Sequence, residues 1–312
     1  EIELCLVGSE MCIRDRTASA LTETLVLEGI PVSYADEVSQ LPTLVLEKEN
    51  TLVVYTPAIP EQNNLLTYVL KENYFVLKRA ALLGEVTKNT FCLAVAGTHG
   101  KTTTSAILGH LLAACNMPVT AFLGGIAENY NSNFISKGHE ITVVEADEFD
   151  RSFLQLFPDI ACITSMDADH LDIYEDTASI EEAFRAFSEL LPNTEMLLYK
   201  KGLALTGKSV AIEASAHFSA QNVIIENGGY VFDLKTPTEI IKGLRFDLPG
   251  HHNLFNAVTA MGMAILAGSP MALLPAALES FKGVRRRFTY KIKTENLVLI
   301  DDYAHHPTEI DA

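Results

Sequence analysis

The chain has 312 residues, of which 48% are hydrophobic, and a formal net charge of −17. These values suit a folded protein of two or three domains and argue against a nucleic-acid partner, because so acidic a chain would repel a phosphate backbone. No apolar run is long enough to cross a bilayer, and the five cysteines are scattered, so we expect no membrane partner, disulfide framework or zinc site. We expect a cytoplasmic protein, and these features predict nothing about its oligomeric state.

The predicted elements of the first domain alternate between helices and strands. Residues 1–16 lack the clustered glycines of a dinucleotide-binding loop, and we expect them to be a non-native segment. Hydrophobic periodicity then predicts five elements in chain order: a helix over 17–28, strands over 31–34 and 51–55, a helix over 63–72 and a strand over 74–77. This domain should close near residue 88.

The second domain begins with a buried strand over 91–96, a glycine-containing turn and a helix over 101–114. Further strands are predicted over 141–145 and 160–165, and a last strand over 297–300. Polar residues follow each of these strands. Because ligand sites of open parallel sheets lie beyond the carboxyl ends of the strands, we expect the functional residues there.

The strongest motif is the run AGTHGKTTT at residues 96–104, which lies between a predicted strand and a predicted helix. Backbone N–H groups and the helix N-terminus would hold phosphates, Lys101 would neutralise β- and γ-phosphate oxygens, and the Thr102 hydroxyl would reach Mg²⁺. The first glycine of the usual Walker pattern falls at Val95, so the loop is a variant. The candidate nucleotide-binding residues are Gly97, Thr98, His99, Gly100, Lys101, Thr102 and Thr103.

The alternative interpretation of this motif is a tight glycine turn with a solvated lysine. In the nucleotide-binding setting too we expect the Lys101 side chain to face solvent, so that its replacement by alanine leaves the fold intact.

Acidic residues follow the next two predicted strands. The run EADEFD at 145–150 concentrates like charges that a cation would relieve, and Glu145 is the first-choice Mg²⁺ ligand. For the other carboxylates of this run a solvated acidic loop is the alternative. His170, within DADHLD at 167–172, could ligate a second cation or contact a γ-phosphate, although an ordinary hydrogen-bonded loop histidine is the alternative.

Three more polar runs lie in the last third of the chain. In GHHNLFNA at 250–257, asparagine amides could bind a base edge, but helix capping explains Asn253 equally well. The arginines at 285–287 could stabilise a γ-phosphate, with an exposed basic turn as the alternative. The run DDYAHHP at 301–307 follows the last predicted strand.

Together the runs GTHGKTTT, EADEFDRSFL, DADHLDIY, GHHNLFNA, GVRRRF and DDYAHHPTEI resemble, in order, the Mur ligase family, over nearly everything from Thr17 to the end. The resemblance implies an α/β fold with a partial Rossmann-like N-terminal domain, a central P-loop ATPase domain with a mostly parallel sheet, and the start of a third Rossmann-like domain. It assigns 17–88 to a partial UDP-substrate-binding domain, 89–290 to the ATP-binding domain and 291–312 to the beginning of an amino-acid-binding domain. The family's early glycine-rich loop and most of its last domain are missing, so we expect truncation at both ends.

The same resemblance implies ATP and Mg²⁺ as cofactors and gives the site residues their roles by position. Lys101 would hold the phosphates, with Thr102 and Glu145 on a first Mg²⁺ and His170 on a second. His252 and Asn253 would face the adenine, and Arg287 and Asp301 the nucleotide near its transferred phosphate and ribose. Tyr303 and His305 would help to form an alanine pocket.

The motifs are most similar to the branch of the family that joins L-alanine to UDP-N-acetylmuramic acid in peptidoglycan synthesis. ATP would phosphorylate the lactate carboxylate, and the amine of alanine would attack the acyl phosphate. The assigned catalytic residues would be Lys101, Glu145, His170 and Arg287. Three alternatives remain: a ligase that recycles murein tripeptide, a folylpolyglutamate-type ligase, and a nucleotide-binding switch that forms no bond.

Overall fold

The computed structural model describes residues 2–7, 10–15, 17–56, 59–60, 62–167, 177–294 and 296–303. The chain divides into two compact units, Glu1–Glu85 and Val86–Ala312. Within the described residues, no helix is both long and apolar enough to span a membrane.

The first unit is a small α/β layer structure. Its elements in chain order are β1 (Ile2–Val7), β2 (Glu10–Asp15), α1 (Ala20–Leu27), β3 (Val32–Ser33), β4 (Thr51–Tyr55), α2 (Asn64–Lys71), β5 (Phe75–Lys78) and α3 (Arg79–Thr87), the last of which runs into the second unit. The sheet order is β3-β2-β1-β4-β5, with β1 antiparallel to both of its neighbours. A small core centred on Val45, Leu66 and Val69 closes one face.

The predicted elements of this unit are confirmed with small shifts at their ends. The helix predicted over 17–28 begins at Ala20, because Ser19 caps it: the Ser19 hydroxyl accepts a hydrogen bond from the Thr22 N–H at 3.2 Å. The strand predicted over 51–55 has those bounds. The expectation that residues 1–16 are foreign to the protein stays a prediction.

The second unit is built on one large sheet. Its strands are β6 (Phe91–Ala96), β7 (Val119–Ala127), β8 (Ser132–Ser136), β9 (Ile141–Glu145), β10 (Ile160–Ile163), β11 (Leu197–Lys200), β12 (Lys208–Ile212), β13 (Phe218–Glu226), β14 (Gly229–Lys235) and β15 (Ile240–Phe246). Its helices are α4 (Lys101–Ala114), α5 (Thr177–Ser188), α6 (His251–Leu266) and α7 (Leu274–Glu279). A separate antiparallel pair, β16 (Thr289–Lys293) and β17 (Val298–Asp301), follows.

The order of the large sheet is β15-β14-β13-β12-β11-β10-β6-β9-β7-β8. Neighbours from β13 through β7 run parallel, and antiparallel strands extend the sheet at both edges. The first strand of the unit, β6, lies between β9 and β10, so the chain departs to both sides of it. Such a switch point leaves a crevice at the carboxyl ends of the strands.

Both faces of β6 are covered, and all of its residues after Phe91 are buried. Leu93 and Val95 belong to the main core with α4 and α6, most of whose residues are buried. A further aromatic cluster joins Phe153 to α5, with its ring stacked on Phe187 at 4.9 Å between centroids. Because both faces are covered, the central strands are continuous apolar runs, which is why their bounds were predictable.

Candidate functional site

The glycine-rich loop joins β6 to α4, as predicted. Gly100 is the N-cap of α4 in the left-handed conformation, with φ +86°, and it has no side chain with which to cap the helix. Among the described residues, no side-chain acceptor is seen for the N–H groups of the first turn, and a helix start of this kind attracts anions.

The residues after β10 fix the shape of the loop from one side. The Ser165 hydroxyl accepts the His99 N–H at 2.8 Å and lies 2.8 Å from the Thr98 hydroxyl. A Cβ at Gly97 would lie 2.1 Å from Thr164 Oγ1, so glycine is required there. The strand predicted over 160–165 ends at Ile163 because Thr164 and Ser165 are used to hold this loop.

Helix α6 fixes the loop from another side. A Cβ at Gly100 would lie 2.6 Å from Oδ1 of Asn256, and the Asn256 side chain is buried. The predicted Asn253 is also buried, and its amide donates to the Pro249 carbonyl at 2.7 Å. The N-cap of α6 is Gly250, so the capping role that the sequence offered for Asn253 is wrong. The assignment of Asn253 and His252 to an adenine stays a prediction.

Lys101 makes a buried ion pair. Its Nζ lies 2.8 and 2.9 Å from the two carboxylate oxygens of Glu148 and donates to the Gly97 carbonyl at 2.8 Å. The Lys101 side chain is 16% exposed and that of Glu148 is 1% exposed. The expectation that Lys101 faces solvent is therefore wrong, because Glu148 folds back over the loop instead of joining a solvated acidic run.

Glu145 ends β9 and lies beside the first turns of α4. Its Oε1 accepts the Gly124 N–H at 2.7 Å and the Ser105 hydroxyl at 3.1 Å, and its Oε2 accepts the Thr102 hydroxyl at 3.3 Å. Burial raises the pKa of this carboxyl, against the opposing effect of these donors and of the Lys101 charge. The carboxylate is thus held in place with its charge incompletely compensated.

This pair of oxygen donors fits a Mg²⁺ ion that also contacts phosphates. The described residues contain no group of three or more His, Cys, Asp or Glu side chains that could hold a metal ion by themselves. Mg²⁺ commonly uses one or two protein oxygens and completes its shell with phosphates and water, so a carboxylate and a hydroxyl are sufficient protein ligands. Thr102 and Glu145 would be those ligands.

The turn that carries the three arginines at 285–287, here called the arginine turn, packs against the end of β7. The Arg285 N–H donates to the Ile126 carbonyl at 2.9 Å. The guanidinium carbons of Arg286 and Arg287 lie 4.9 and 5.5 Å from the ring centroid of Tyr303. The arginines and the tyrosine are therefore in contact with each other, while the nucleotide and alanine roles predicted for them stay predictions.

Three other predicted residues lie apart from the phosphate loop or outside the described part of the chain. Asp301 lies 3.5 Å from Lys291 in an ion pair across the two-stranded sheet. His170 and His305 lie outside the described residues. The described part of the site therefore contains the phosphate loop, Glu145 and the arginine turn.

A family model of the Mur ligase middle domain matches residues 95–264, more than half of the chain. This match begins on β6 and includes the phosphate loop, Glu145 and α6. The chain belongs to the Mur ligase family. The fold class predicted from the sequence is confirmed.

Curated Mur ligases are similar over almost the whole chain. The UDP-N-acetylmuramate–L-alanine ligase of Christiangramia forsetii is 58% identical over 299 residues, which are 96% of this chain and 66% of the relative. The enzyme of the same name from Flavobacterium psychrophilum is 53% identical over 306 residues, 98% of this chain and 68% of the relative. The chain spans about two thirds of the length of the curated relatives it matches.

Solved Mur ligase structures share the fold. The UDP-N-acetylmuramate-alanine ligase of Thermotoga maritima superposes with a TM-score of 0.81 at 25% identity, covering 95% of this chain and 69% of that one. A UDP-N-acetylmuramate:L-alanyl-gamma-D-glutamyl-meso-diaminopimelate ligase from Neisseria meningitides gives 0.74 at 22% identity, covering 88% and 90%. At that identity the second likeness concerns the fold alone.

The sequence interpretation missed four contributors to this Mur ligase site. They are Ser105, Gly124, Glu148 and Asn256. Glu148 and Asn256 lay inside runs that had been singled out, but Glu145 was preferred in the first run and His252 and Asn253 in the second. Ser105 and Gly124 gave no local signal, since only the pairing of β9 with β6 and β7 brings them to Glu145.

Proposed function

We propose that the protein containing this chain is a cytoplasmic, ATP- and Mg²⁺-dependent ligase that joins L-alanine to the lactate carboxylate of UDP-N-acetylmuramic acid in peptidoglycan synthesis. The observation that carries this proposal is a phosphate loop with a Mg²⁺-compatible Thr102–Glu145 pair in a chain 58% identical to a relative of that name.

The residues suggest a division of labour around the γ-phosphate of ATP. The first-turn N–H groups of α4 and the loop backbone would bind phosphate oxygens. Thr102 and Glu145 would hold Mg²⁺, which supplies positive charge to the phosphates when bound. Arg287 would approach from the turn that is anchored on β7, and His170 would contribute to a second cation. Catalysis would rest on positioning and charge, with no covalent bond to the protein.

Asn256 lies beside the proposed phosphate loop. Its side chain is buried against Gly100, so a polar amide lies at the start of α4, where the nucleotide would bind. In the first unit, an apolar cavity lined in part by Val32, Val53 and Leu66 is compatible with a substrate-binding role for residues 17–88.

The test is a phosphate-release assay on the full gene product that carries this sequence. The enzyme would be given ATP, Mg²⁺, UDP-N-acetylmuramic acid and one of four acceptors: L-alanine, glycine, L-serine or the murein tripeptide. We expect alanine to be preferred. One methyl group in an apolar pocket discriminates by only about 1–3 kcal/mol, so slow ligation of glycine is compatible with the proposal.

Other outcomes of that assay select the alternatives. Preference for the tripeptide would assign the recycling reaction, and activity only with a folate acceptor and glutamate would assign the folylpolyglutamate-type reaction. Nucleotide-dependent capture of a partner without any ligation would favour a switch. Chelation of Mg²⁺ should abolish phosphate release, and undiminished turnover in chelator would contradict the metal requirement.

A further inference from the structure

The Glu145 carboxylate is oriented by residues that no motif includes. Ser105 lies on the second turn of α4 and is fully buried, and Gly124 lies on β7. Both donate to the same carboxylate oxygen, Oε1, at 3.1 and 2.7 Å. A carboxylate oxygen has about two lone-pair sites, so these two donors occupy Oε1 fully.

The second oxygen of Glu145 is differently placed. Oε2 accepts only the Thr102 hydroxyl among the described hydrogen bonds, and that contact is long, at 3.3 Å. A hydroxyl can rotate its hydrogen away and present a lone pair. Thr102 Oγ1 and Glu145 Oε2 are therefore two neighbouring oxygen atoms that one cation could contact.

Gly124 also acts through its lack of a side chain. A Cβ at this position would lie 2.6 Å from Oε2 and 2.8 Å from Oε1 of Glu145. Any other residue would push the carboxylate out of its place, so the β7 backbone is both a donor and a wall for Glu145.

We propose that Ser105 and Gly124 are positioning residues that anchor Oε1 of Glu145, so that Oε2 alone is presented, beside the Thr102 hydroxyl, to a divalent cation. This inference rests on the proposed Mg²⁺–ATP function. Glu145 would then contact the cation through Oε2, and Ser105 and Gly124 would hold the carboxylate in place before the nucleotide binds. Outer-shell partners of this kind typically change metal affinity by about 10–100-fold when removed.

The experiment measures the affinity of the chain for ATP in excess Mg²⁺ and in EDTA, for the wild type and for Ser105→Ala, Ser105→Thr and Gly124→Ala. The ratio of the two dissociation constants gives the enhancement by Mg²⁺. The matched control is Ser219→Ala, because Ser219 is equally buried and its hydroxyl donates to the Ala214 carbonyl at 2.7 Å, away from Glu145. Thermal unfolding of each variant monitors folding.

We expect Ser105→Ala to reduce the Mg²⁺ enhancement about tenfold while the affinity in EDTA stays within about twofold of wild type. Ser105→Thr, which keeps the hydroxyl, should retain most of the enhancement, and Gly124→Ala should lose at least as much as Ser105→Ala. Ser219→Ala should keep the full enhancement even if its melting temperature falls.

Two results would overturn the inference alone: an unchanged enhancement in both Ser105→Ala and Gly124→Ala, or an equal loss in Ser219→Ala. A wild-type chain that binds ATP equally well with and without Mg²⁺ would instead overturn the proposed metal role, and the inference with it. The wild-type measurement therefore separates the two failures.

Discussion

Replacing Lys101 by alanine should destabilise the second unit as well as impair nucleotide binding. The change would leave Glu148, 1% exposed, without the ammonium group that contacts both of its oxygens. Removal of one partner from a buried ion pair costs about 3–5 kcal/mol. Because Lys101 itself is 16% exposed, we expect the lower end of that range, about 3 kcal/mol.

The two partners should not be equivalent. In Glu148→Ala, the Lys101 ammonium keeps its contact with the Gly97 carbonyl and can turn toward water. The free energy of unfolding should therefore fall by only about 1–2 kcal/mol. The double variant should be no less stable than Lys101→Ala, because the buried Glu148 carboxylate that lost the Lys101 ammonium is then absent. The double-mutant cycle formed by the wild type, the two single variants and the double variant would then give a coupling energy of at least about 1 kcal/mol between the two side chains.

The assay is urea and thermal unfolding, followed by circular dichroism, of the wild type, the two single variants and the double variant. For a unit of this size, about 3 kcal/mol corresponds to a fall in melting temperature of about 6–12 °C. Lys137→Ala is the control for loss of a charge, since Lys137 is exposed in the same unit. If Lys101→Ala unfolds within 0–1 °C (about 0.3 kcal/mol) of the control, the buried pair does not stabilise the unit and the argument is refuted.

Three further predictions concern the same unit. Gly97→Ala should destabilise it by more than about 3 kcal/mol, because the new Cβ meets Thr164. Gly202 has a comparable positive φ but open space around it, so Gly202→Ala should cost only about 1–2 kcal/mol. An equal fall in the melting temperatures of the two variants would contradict the steric argument. Burial lowers the pKa of His110 below its ordinary 6.5. The unfolded chain therefore binds a proton at a higher pH than the folded chain does, and the free energy of unfolding should fall as the pH drops below about 6.5. A His110→Gln variant with the same pH dependence of unfolding would exclude this cause. Glu145→Gln should weaken ATP binding in Mg²⁺ by about tenfold or more but leave binding in EDTA nearly unchanged, and equal effects in both buffers would remove Glu145 from the metal site.

The sequence predicted the parts of the fold that local patterns determine. Strands β6 and β9 and helix α4 have the predicted bounds, because an unbroken apolar strand, a glycine at the helix start and a polar residue at the strand end are all local signals. The antiparallel strands at the sheet edges were not predicted. Residues such as Ile224, Ile225 and Ile240 are exposed there, so burial does not impose a clear alternation.

The pairings inside the site could not be predicted, since they depend on strand order. Lys101 and Glu148 are 47 residues apart, and Ser105 and Glu145 are 40 apart. They meet because β9, which leads to both glutamates, pairs with β6, which leads to α4, and a sequence shows where a strand ends without showing which strand lies beside it. The same reason explains the error at Lys101: an acidic run looks solvated until its partner is known.

The Lys101–Glu148 pair also bears on how so acidic a protein could hold a triphosphate. With Glu148 in contact, the Lys101 ammonium brings little net positive charge to the loop, and Glu145 adds a negative one. The backbone N–H groups of α4 supply only about half a charge. Within the proposed function, the remaining positive charge must arrive with the nucleotide as Mg²⁺ or from the arginine turn.

The arginine turn is held to β7 through the hydrogen bond between Arg285 and Ile126. A Cβ at Gly125 of β7 would lie 3.0 Å from the Thr102 methyl and 2.7 Å from a Val284 methyl. The same stretch of β7 therefore contacts the proposed metal ligands and the base of the arginine turn, which places both sources of charge beside one strand.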